Sequence, residues 1–191
     1  MLRTIRIAAI AAAAMYVSGC TFTTSGYGVS VDNVTTMKNL GETQISVSDF
    51  TSSKPGGSSI TCRGAGPVAT PNKEPFEKYI QEAFKSELKL AGLYSESSPI
   101  KFNGHFTKID FNSNIGAGKW MFELTVSSND TENSNITSRH EFSTNWVADK
   151  ACQQVAQAFS PAVQTLIKDL IKDPMFKELV KTKSSGLASK I

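Results

Sequence analysis

The period at which apolar residues recur changes along this chain from helical to strand-like and back, and this change constrains the fold most. Apolar residues at three- and four-residue spacing from Phe76 to Ala91 predict an amphipathic helix, which Gly92 ends as a left-handed cap. Strict alternation at 120–126 predicts a half-buried strand. A second helical period covers about 149–173, and Pro161 inside it predicts a kink or a break.

Strand patterns account for most of the remaining apolar residues. The predicted strands cover residues 44–50, 59–63, 100–111, 120–126 and 137–146. The apolar parity reverses near Thr107 and Lys108, which predicts a bulge, and the Gly-Ala-Gly-Pro run at 64–67 is read as a connection to the first helix. These elements predict the α+β class: an antiparallel or mixed sheet of about five strands with two main amphipathic helices packed on one face.

The N-terminal twenty residues contain a basic start, a short apolar run and a final cysteine. Arg3 and Arg6 flank the beginning of this segment, residues 7–17 are apolar, and Ser18-Gly19-Cys20 follow. As a helix the apolar run would be about 16 Å long, too short to cross a hydrocarbon core of about 30 Å. The pattern therefore predicts an export signal rather than a membrane-spanning anchor.

The motif Val17-Ser18-Gly19-Cys20 resembles the lipobox of bacterial lipoprotein precursors at all four positions. The resemblance implies that residues 1–19 are removed and that Cys20 receives acyl chains such as palmitate. Two or more chains make a stable anchor. In Gram-negative bacteria the residue after the cysteine influences sorting, and Thr21 in place of aspartate implies the outer membrane, with the protein facing the periplasm.

Composition divides the rest of the chain into three parts. Residues 20–40 are rich in Ser, Thr and Gly, which predicts a lipidated flexible tether. Residues 41–181 hold the predicted helices and strands, enough for a single α+β periplasmic domain with one core. Residues 182–191 are predicted to be a disordered tail.

A family resemblance appears in the helix ends. The first helix ends Leu88-Lys89-Leu90-Ala91-Gly92-Leu93, and the last ends near Phe176-Lys177-Glu178-Leu179. With the strands between them, these segments resemble the YajG-like small lipoproteins, and the lipopolysaccharide-assembly lipoproteins have a similar layout. The likeness covers most of residues 44–180 in element order. It implies a fold and a role in the cell envelope, and it brings no catalytic motif.

The charge balance excludes one class of partner. Without Arg3 and Arg6 the 20 basic residues fall to 18, against 17 acidic ones, so the chain after the signal is nearly neutral. No basic patch suited to nucleic acid remains. We expect two partners: the membrane, through lipid on Cys20, and a protein of the cell envelope.

Two cysteines remain once Cys20 is assigned to lipid. Cys62 and Cys152 form a pair, and a pair in an oxidising compartment predicts a disulfide. Two buried thiols are the first alternative. A second alternative is a reactive Cys62 beside Arg63, with a histidine as base.

The sequence is poor in the residues that metal centres and active sites use. His105 and His140 are the only histidines, and the chain has neither a zinc-binding motif nor a nucleophile elbow. Asp110, Glu123 and Glu141 lie on predicted strands and would serve a hydrolase only if they met across a cleft. We predict no catalytic residue, no metal and no cofactor.

Aromatic residues at strand period predict a core beneath the helices. They are Phe102, Phe106, Trp120, Phe122, Phe142 and Trp146. In an alternative interpretation the helices leave part of this face open as a groove for an acyl chain or a partner segment. Phe106, Trp120 and Trp146 are then the contact residues.

Three functional hypotheses follow. The sequence favours a non-enzymatic accessory or binding module of the cell envelope, anchored in the outer membrane by Cys20. A carrier of lipid or another apolar ligand is the second hypothesis, and it predicts an enclosed apolar cavity. A membrane-tethered periplasmic hydrolase is the third, and it predicts an open cleft with convergent polar groups.

Overall fold

The computed structural model describes residues 20–129 and 131–181, so the predicted signal peptide at 1–19 and the predicted tail at 182–191 lie outside the described residues. The structure belongs to the α+β class, as the sequence predicts. In chain order its elements are β1 (Phe22–Thr23), α1 (Val31–Lys38), β2 (Ser46–Val47), β3 (Thr51–Ser52), β4 (Ser59–Cys62), β5 (Gly66–Ala69), α2 (Phe76–Ala91), β6 (Lys101–Asn112), β7 (Gly118–Ser128), β8 (Ser134–Phe142), α3 (Ala148–Lys172) and α4 (Pro174–Val180).

The larger sheet has five strands. β6, β7 and β8 form an antiparallel meander, and β2 and β3 pair in parallel with successive parts of β6. The register of β6 against β7 shifts between Phe106 and Lys108, so the predicted bulge is present at Thr107. Of the strand predicted at 44–50 only β2 forms, and β3 follows just beyond that range. The strand predicted at 137–146 already ends at Phe142.

Helices cover one face of this sheet, as predicted, and bury its aromatic residues. The ring centroids of Phe84 on α2 and Phe102 on β6 are 5.3 Å apart. Those of Phe159 on α3 and Trp120 on β7 are 4.7 Å apart. On α4, Phe176 packs 6.0 Å from Phe84. The core therefore lies between the sheet and three of the helices.

A glycine ends α2, whereas a proline inside α3 does not end that helix. Gly92 has a φ of 81° and ends α2, while the N–H of Leu93 donates to the carbonyl oxygen of Leu88 (2.9 Å). By contrast, α3 runs through Pro161 without the predicted break. Burial of one face of α3 against both sheets stabilises the helix against the loss of one backbone hydrogen bond.

A second sheet has three strands in the order β1-β5-β4 and lies against α3. β5 corrects the prediction that residues 64–67 are only a connection, because Gly66–Ala69 pairs antiparallel with β4. Gly66 and Pro67 concealed this strand, since both residue types are disfavoured in strands.

Residues 20–40, predicted to be a flexible tether, are instead part of the folded domain. β1 pairs in parallel with β5, and α1 packs against α2 and α3 with Met37 fully buried. The prediction was wrong because this segment has no apolar period and is attached largely through polar groups. The described fold therefore begins at Cys20 rather than near residue 41.

Glu87 on α2 is the centre of this attachment and is fully buried. Its Oε1 accepts hydrogen bonds from the hydroxyl of Tyr27 and from the N–H of Ser30 (2.9 Å). Burial raises the pKa of the Glu87 carboxyl, and burial together with Glu87 raises the pKa of the Tyr27 hydroxyl. A further bond joins α1 to α3, where the side-chain amide of Asn33 donates to the carbonyl oxygen of Gln164 (3.0 Å).

Candidate functional site

Cys20 is exposed on the surface of the domain, immediately before β1. Its carbonyl oxygen packs against Gly66, where a Cβ atom would lie 2.0 Å from that oxygen, so glycine is required there. The next residue, Thr21, lines a recess together with Gln153 of α3. Cys20 is therefore held against the second sheet and α3, and an acyl chain on its sulfur would start at the domain surface.

The predicted disulfide is formed beside this position. Cys62 at the end of β4 is bonded to Cys152 near the start of α3, with Cα atoms 5.8 Å apart. Cys62 is also the pairing partner of Gly66, so the bridge lies at the same end of the sheet as Cys20. The Cys62 sulfur is used in the bridge, which removes the nucleophile considered for it.

Arg63 joins two distant loops to the turn between β4 and β5. Arg63 and Gly64 have φ values of 46° and 69°, positive at both central positions as in a type I′ turn. The Nε of Arg63 donates to the hydroxyl of Ser113 (3.1 Å). Its Nη1 donates to the carbonyl oxygens of Asn145 (3.0 Å) and Trp146 (3.4 Å). A single guanidinium thus crosslinks three surface segments.

We call this surface the Cys20 end. It consists of Cys20, the turn at 62–65, and the loops at 113–117 and 143–147. The two loops also bond to each other, because the N–H of Gly116 donates to the carbonyl oxygen of Thr144 (3.2 Å). Trp146 is 77% exposed and Ile115 is 75% exposed, so each loop presents one large apolar side chain.

Phe106, Trp120 and Trp146, predicted as contact residues of an open aromatic groove, do not lie together on the surface. Phe106 and Trp120 are fully buried, and the indole N–H of Trp120 donates to the carbonyl oxygen of Val155 (3.0 Å). The groove prediction is wrong for these two residues because the helices close over the sheet. Trp146 alone reaches the surface, from a loop rather than from a strand.

The histidines interact with hydroxyl groups. His105 Nδ1 lies 2.8 Å from Thr51 Oγ1, and His140 Nδ1 lies 2.9 Å from Thr165 Oγ1. Burial lowers the pKa of His140. Across residues 20–129 and 131–181, no group of three or more His, Cys, Asp and Glu side chains is placed to hold a metal ion. Nor does that part of the chain contain a helix with the length and apolarity to span a membrane.

A cleft of about 320 Å³ lies between the two sheets. Its lining residues come from the end of β3, the β3–β4 connection, β4, the start of α2 and the bulged part of β6: Ser52, Lys54, Gly57, Ser59, Ile60, Phe76, Glu77, Thr107, Lys108, Ile109 and Asp110. Basic and acidic side chains both contribute, and the cleft opens to solvent. It differs in both respects from the enclosed apolar cavity that a lipid carrier needs.

The cleft also separates two unpaired strand edges. In the part of the chain that the structure describes, β4 pairs only with β5, and β6 pairs only with β7 beyond Phe106. Unpaired edges offer backbone N–H and C=O groups to an added strand. The cleft is therefore suited to an extended polypeptide segment.

The sequence did not predict the structural roles of Glu87, Arg63 and Ile115. Glu87 falls within the apolar stripe of α2, and a carboxylate on a buried face signals a polar partner from elsewhere in the chain. Arg63 precedes a glycine, which is a turn signal, but its contacts depend on tertiary structure. Ile115 lies in a short loop and gave no signal.

Comparisons with known proteins add one finding about the fold. No protein-family model matches the sequence, and no curated protein matches it. A crystal structure of a Xanthomonas campestris protein of the family DUF330 aligns with a TM-score of 0.57 and 10% identity, over 83% of this chain and 96% of that one. The crystal structure of a candidate lipoprotein from Caulobacter crescentus CB15 aligns at 11% identity over 73% of this chain and 90% of that one, but its TM-score of 0.35 is too low to show a shared fold. The chain is therefore similar in fold to the DUF330 protein.

Proposed function

We propose that this protein is a lipid-anchored accessory or binding module of the cell envelope, held at the outer membrane with its domain in the periplasm, and that it is not an enzyme. The observation that carries the proposal is the position of Cys20. The cysteine of the lipobox-like motif is exposed and lies immediately before β1, at the edge of the second sheet. This position fits a cysteine that becomes a lipid-bearing N-terminus, because nothing in the described domain covers its sulfur.

Two sequence features support the location. The resemblance of the helix ends to YajG-like lipoproteins supports a role in the envelope, and Thr21 after the cysteine supports the outer membrane. An acyl anchor on Cys20, immediately before β1, would also leave no linker between the membrane and the domain. The domain would therefore stay at the membrane surface instead of reaching across the periplasm.

We assign partner binding to the cleft between β4 and β6. An extended segment of an envelope protein would pair with the edge of β4 or β6 and place its side chains against the mixed lining of the cleft. Backbone pairing gives affinity, and the exposed ammonium group of Lys54 in the lining contributes selectivity for the partner's sequence.

The anchor is tested by metabolic labelling with palmitate. We expect the wild-type protein to be labelled and shortened, and Cys20→Ala to remain an unlabelled, full-length precursor. The double variant Cys62→Ala/Cys152→Ala is the matched control, because it removes the other two cysteines and should still be labelled. Labelling of Cys20→Ala would contradict the anchor.

The binding surface is tested by photo-crosslinking in cells. A photoreactive residue is placed at Ser59 or Thr107, on opposite sides of the cleft, or at Lys172 on the exposed side of α3 as a control. We expect both cleft positions to capture the same envelope protein and the control position to capture none. Capture from Lys172 alone would move the binding surface away from the cleft and leave the anchor unaffected.

A further inference from the structure

Trp146 is held in an exposed position by the loop that carries it. The N–H of Asn145 donates to Oε1 of Gln154 on α3 (2.7 Å), and Oδ1 of Asn145 accepts from the N–H of Val147 (2.9 Å). The carbonyl oxygen of Trp146 itself accepts from Arg63. The backbone on both sides of the indole is therefore fixed while 77% of the residue remains accessible.

A single exposed apolar residue needs no explanation, because most protein surfaces have several. Here two large ones, Trp146 and Ile115, lie on the surface that also carries Cys20. The chain that precedes the described domain, residues 1–19, ends at this same point. Acyl chains on Cys20 that enter a bilayer would bring both side chains to its surface, because no linker separates the anchor from the domain.

We infer that the Cys20 end is a bilayer-contacting surface, on which Trp146 and Ile115 enter the interfacial region of the leaflet that holds the acyl chains of Cys20. The inference rests on the proposed lipidation of Cys20. Tryptophan favours this region because its ring is apolar and its N–H finds polar partners among the headgroups. Two side chains are too few to hold the protein at a membrane, so their effect is to fix the orientation of the domain.

The charges around this surface favour apolar contact over attraction to anionic lipid. Lys119 and Lys150 are offset by Glu141 and Asp149, and the guanidinium of Arg63 is bonded to backbone carbonyl oxygens. Polybasic segments that bind anionic lipid have no such balance. We therefore expect the contact to form on neutral phosphatidylcholine.

The chain's own tryptophans provide the test. Only Trp120 and Trp146 are present, and Trp120 is fully buried. The mature, lipidated protein is reconstituted into phosphatidylcholine vesicles with or without brominated acyl chains, which quench tryptophan on contact. We expect the brominated lipid to remove the share of emission that belongs to Trp146. In Trp146→Phe the remaining emission should be the same in both kinds of vesicle.

A second variant keeps an exposed tryptophan but moves it away from the Cys20 end. Leu90 is exposed near the end of α2, about 21 Å along the helix from Phe76, which packs against Trp120. In Trp146→Phe/Leu90→Trp the new tryptophan should escape quenching. Equal quenching of Trp146 and of the tryptophan at position 90, or none of either, would overturn the inference while the anchor stands. A Cys20 without acyl chains by mass spectrometry would overturn both.

Discussion

Glu87 places an ionisable carboxyl in the interior, where the N-terminal segment meets α2. Burial raises its pKa, and the hydrogen bonds from Tyr27, Ser30 and Asn33 oppose this shift only in part. The folded protein therefore keeps a proton on Glu87 to higher pH than the unfolded chain, in which the pKa is about 4.3. The stability that this proton contributes is fully present below the unfolded pKa and is lost as pH rises through the raised, folded pKa.

The side chain introduced by Glu87→Gln cannot ionise, so this variant should not lose stability as the pH rises. We expect the free energy of unfolding of Glu87→Gln, relative to wild type, to rise as pH increases from the unfolded pKa through the raised pKa of the folded carboxyl. Urea denaturation at several pH values measures the difference, and the exposed Glu132→Gln is the control, whose difference from wild type should be flat. A flat difference for Glu87→Gln as well would show that Glu87 titrates normally in the folded state.

At the scale of a single element, α1 is attached to the domain through its buried inner side. Met37, on its inner side, is fully buried, whereas Val31 at its first turn is 76% exposed. Met37→Ala should lower the free energy of unfolding by about 2–5 kcal/mol, because it removes buried methylenes and leaves a cavity. Val31→Ala should stay within about 0.5 kcal/mol of wild type. If both variants matched wild type in urea denaturation, residues 31–38 would be detached in solution.

The elements that sequence predicted are those with a clear hydrophobic period. The helix from Phe76, its end at Gly92, the strand at 120–126 and the bulge at Thr107 all leave a repeating pattern, and the structure contains each of them. β5 was missed because Gly66 and Pro67 are disfavoured in strands. β1 and α1 were missed because their residues are held by hydrogen bonds and by partners distant in sequence. Such contacts produce no local hydrophobic period in the sequence.

The candidate sites follow the same rule. The Cys62–Cys152 bridge was predictable from sequence because cysteine chemistry and compartment limit the alternatives, whereas the lipidation of Cys20 stays a prediction. The cleft was not accessible, because it depends on which edges of two separate sheets remain unpaired. The prediction of an aromatic groove was wrong because alternation of apolar residues identifies the inner face of a sheet but not the elements that cover it.

At the scale of the whole molecule, the disulfide connects the three-stranded sheet to α3 across 90 positions of sequence. Cys62→Ala/Cys152→Ala should lower the free energy of unfolding by about 2–5 kcal/mol, because the unfolded chain loses a long closed loop. Urea denaturation of the oxidised protein and of the double variant measures this. The wild type under reducing conditions should follow the double variant, and coincidence of all three curves would contradict a stabilising bridge.

The two proposed surfaces also have a fixed relation to each other. Asn112, the last residue of β6, is followed by the loop of the Cys20 end, whereas the cleft is lined by residues 107–110 of the same strand. At about 3.3 Å per residue, the part of β6 that lines the cleft lies roughly 10–20 Å from that end. A domain oriented by Trp146 and Ile115 would hold the cleft close to the membrane, so its partner must present an extended segment there.

The shortness of β1 has a consequence for the order of events during maturation. β1 has two residues and occupies the outer edge of its sheet, so its departure leaves the β4–β5 hairpin, the disulfide and the larger sheet intact. If Cys20 is cut and acylated as proposed, the chain could complete most of its domain while the segment around Cys20 is still extended toward the modifying enzymes. Pairing of β1 with β5 would then be the last step, and it would bring the finished domain onto its anchor.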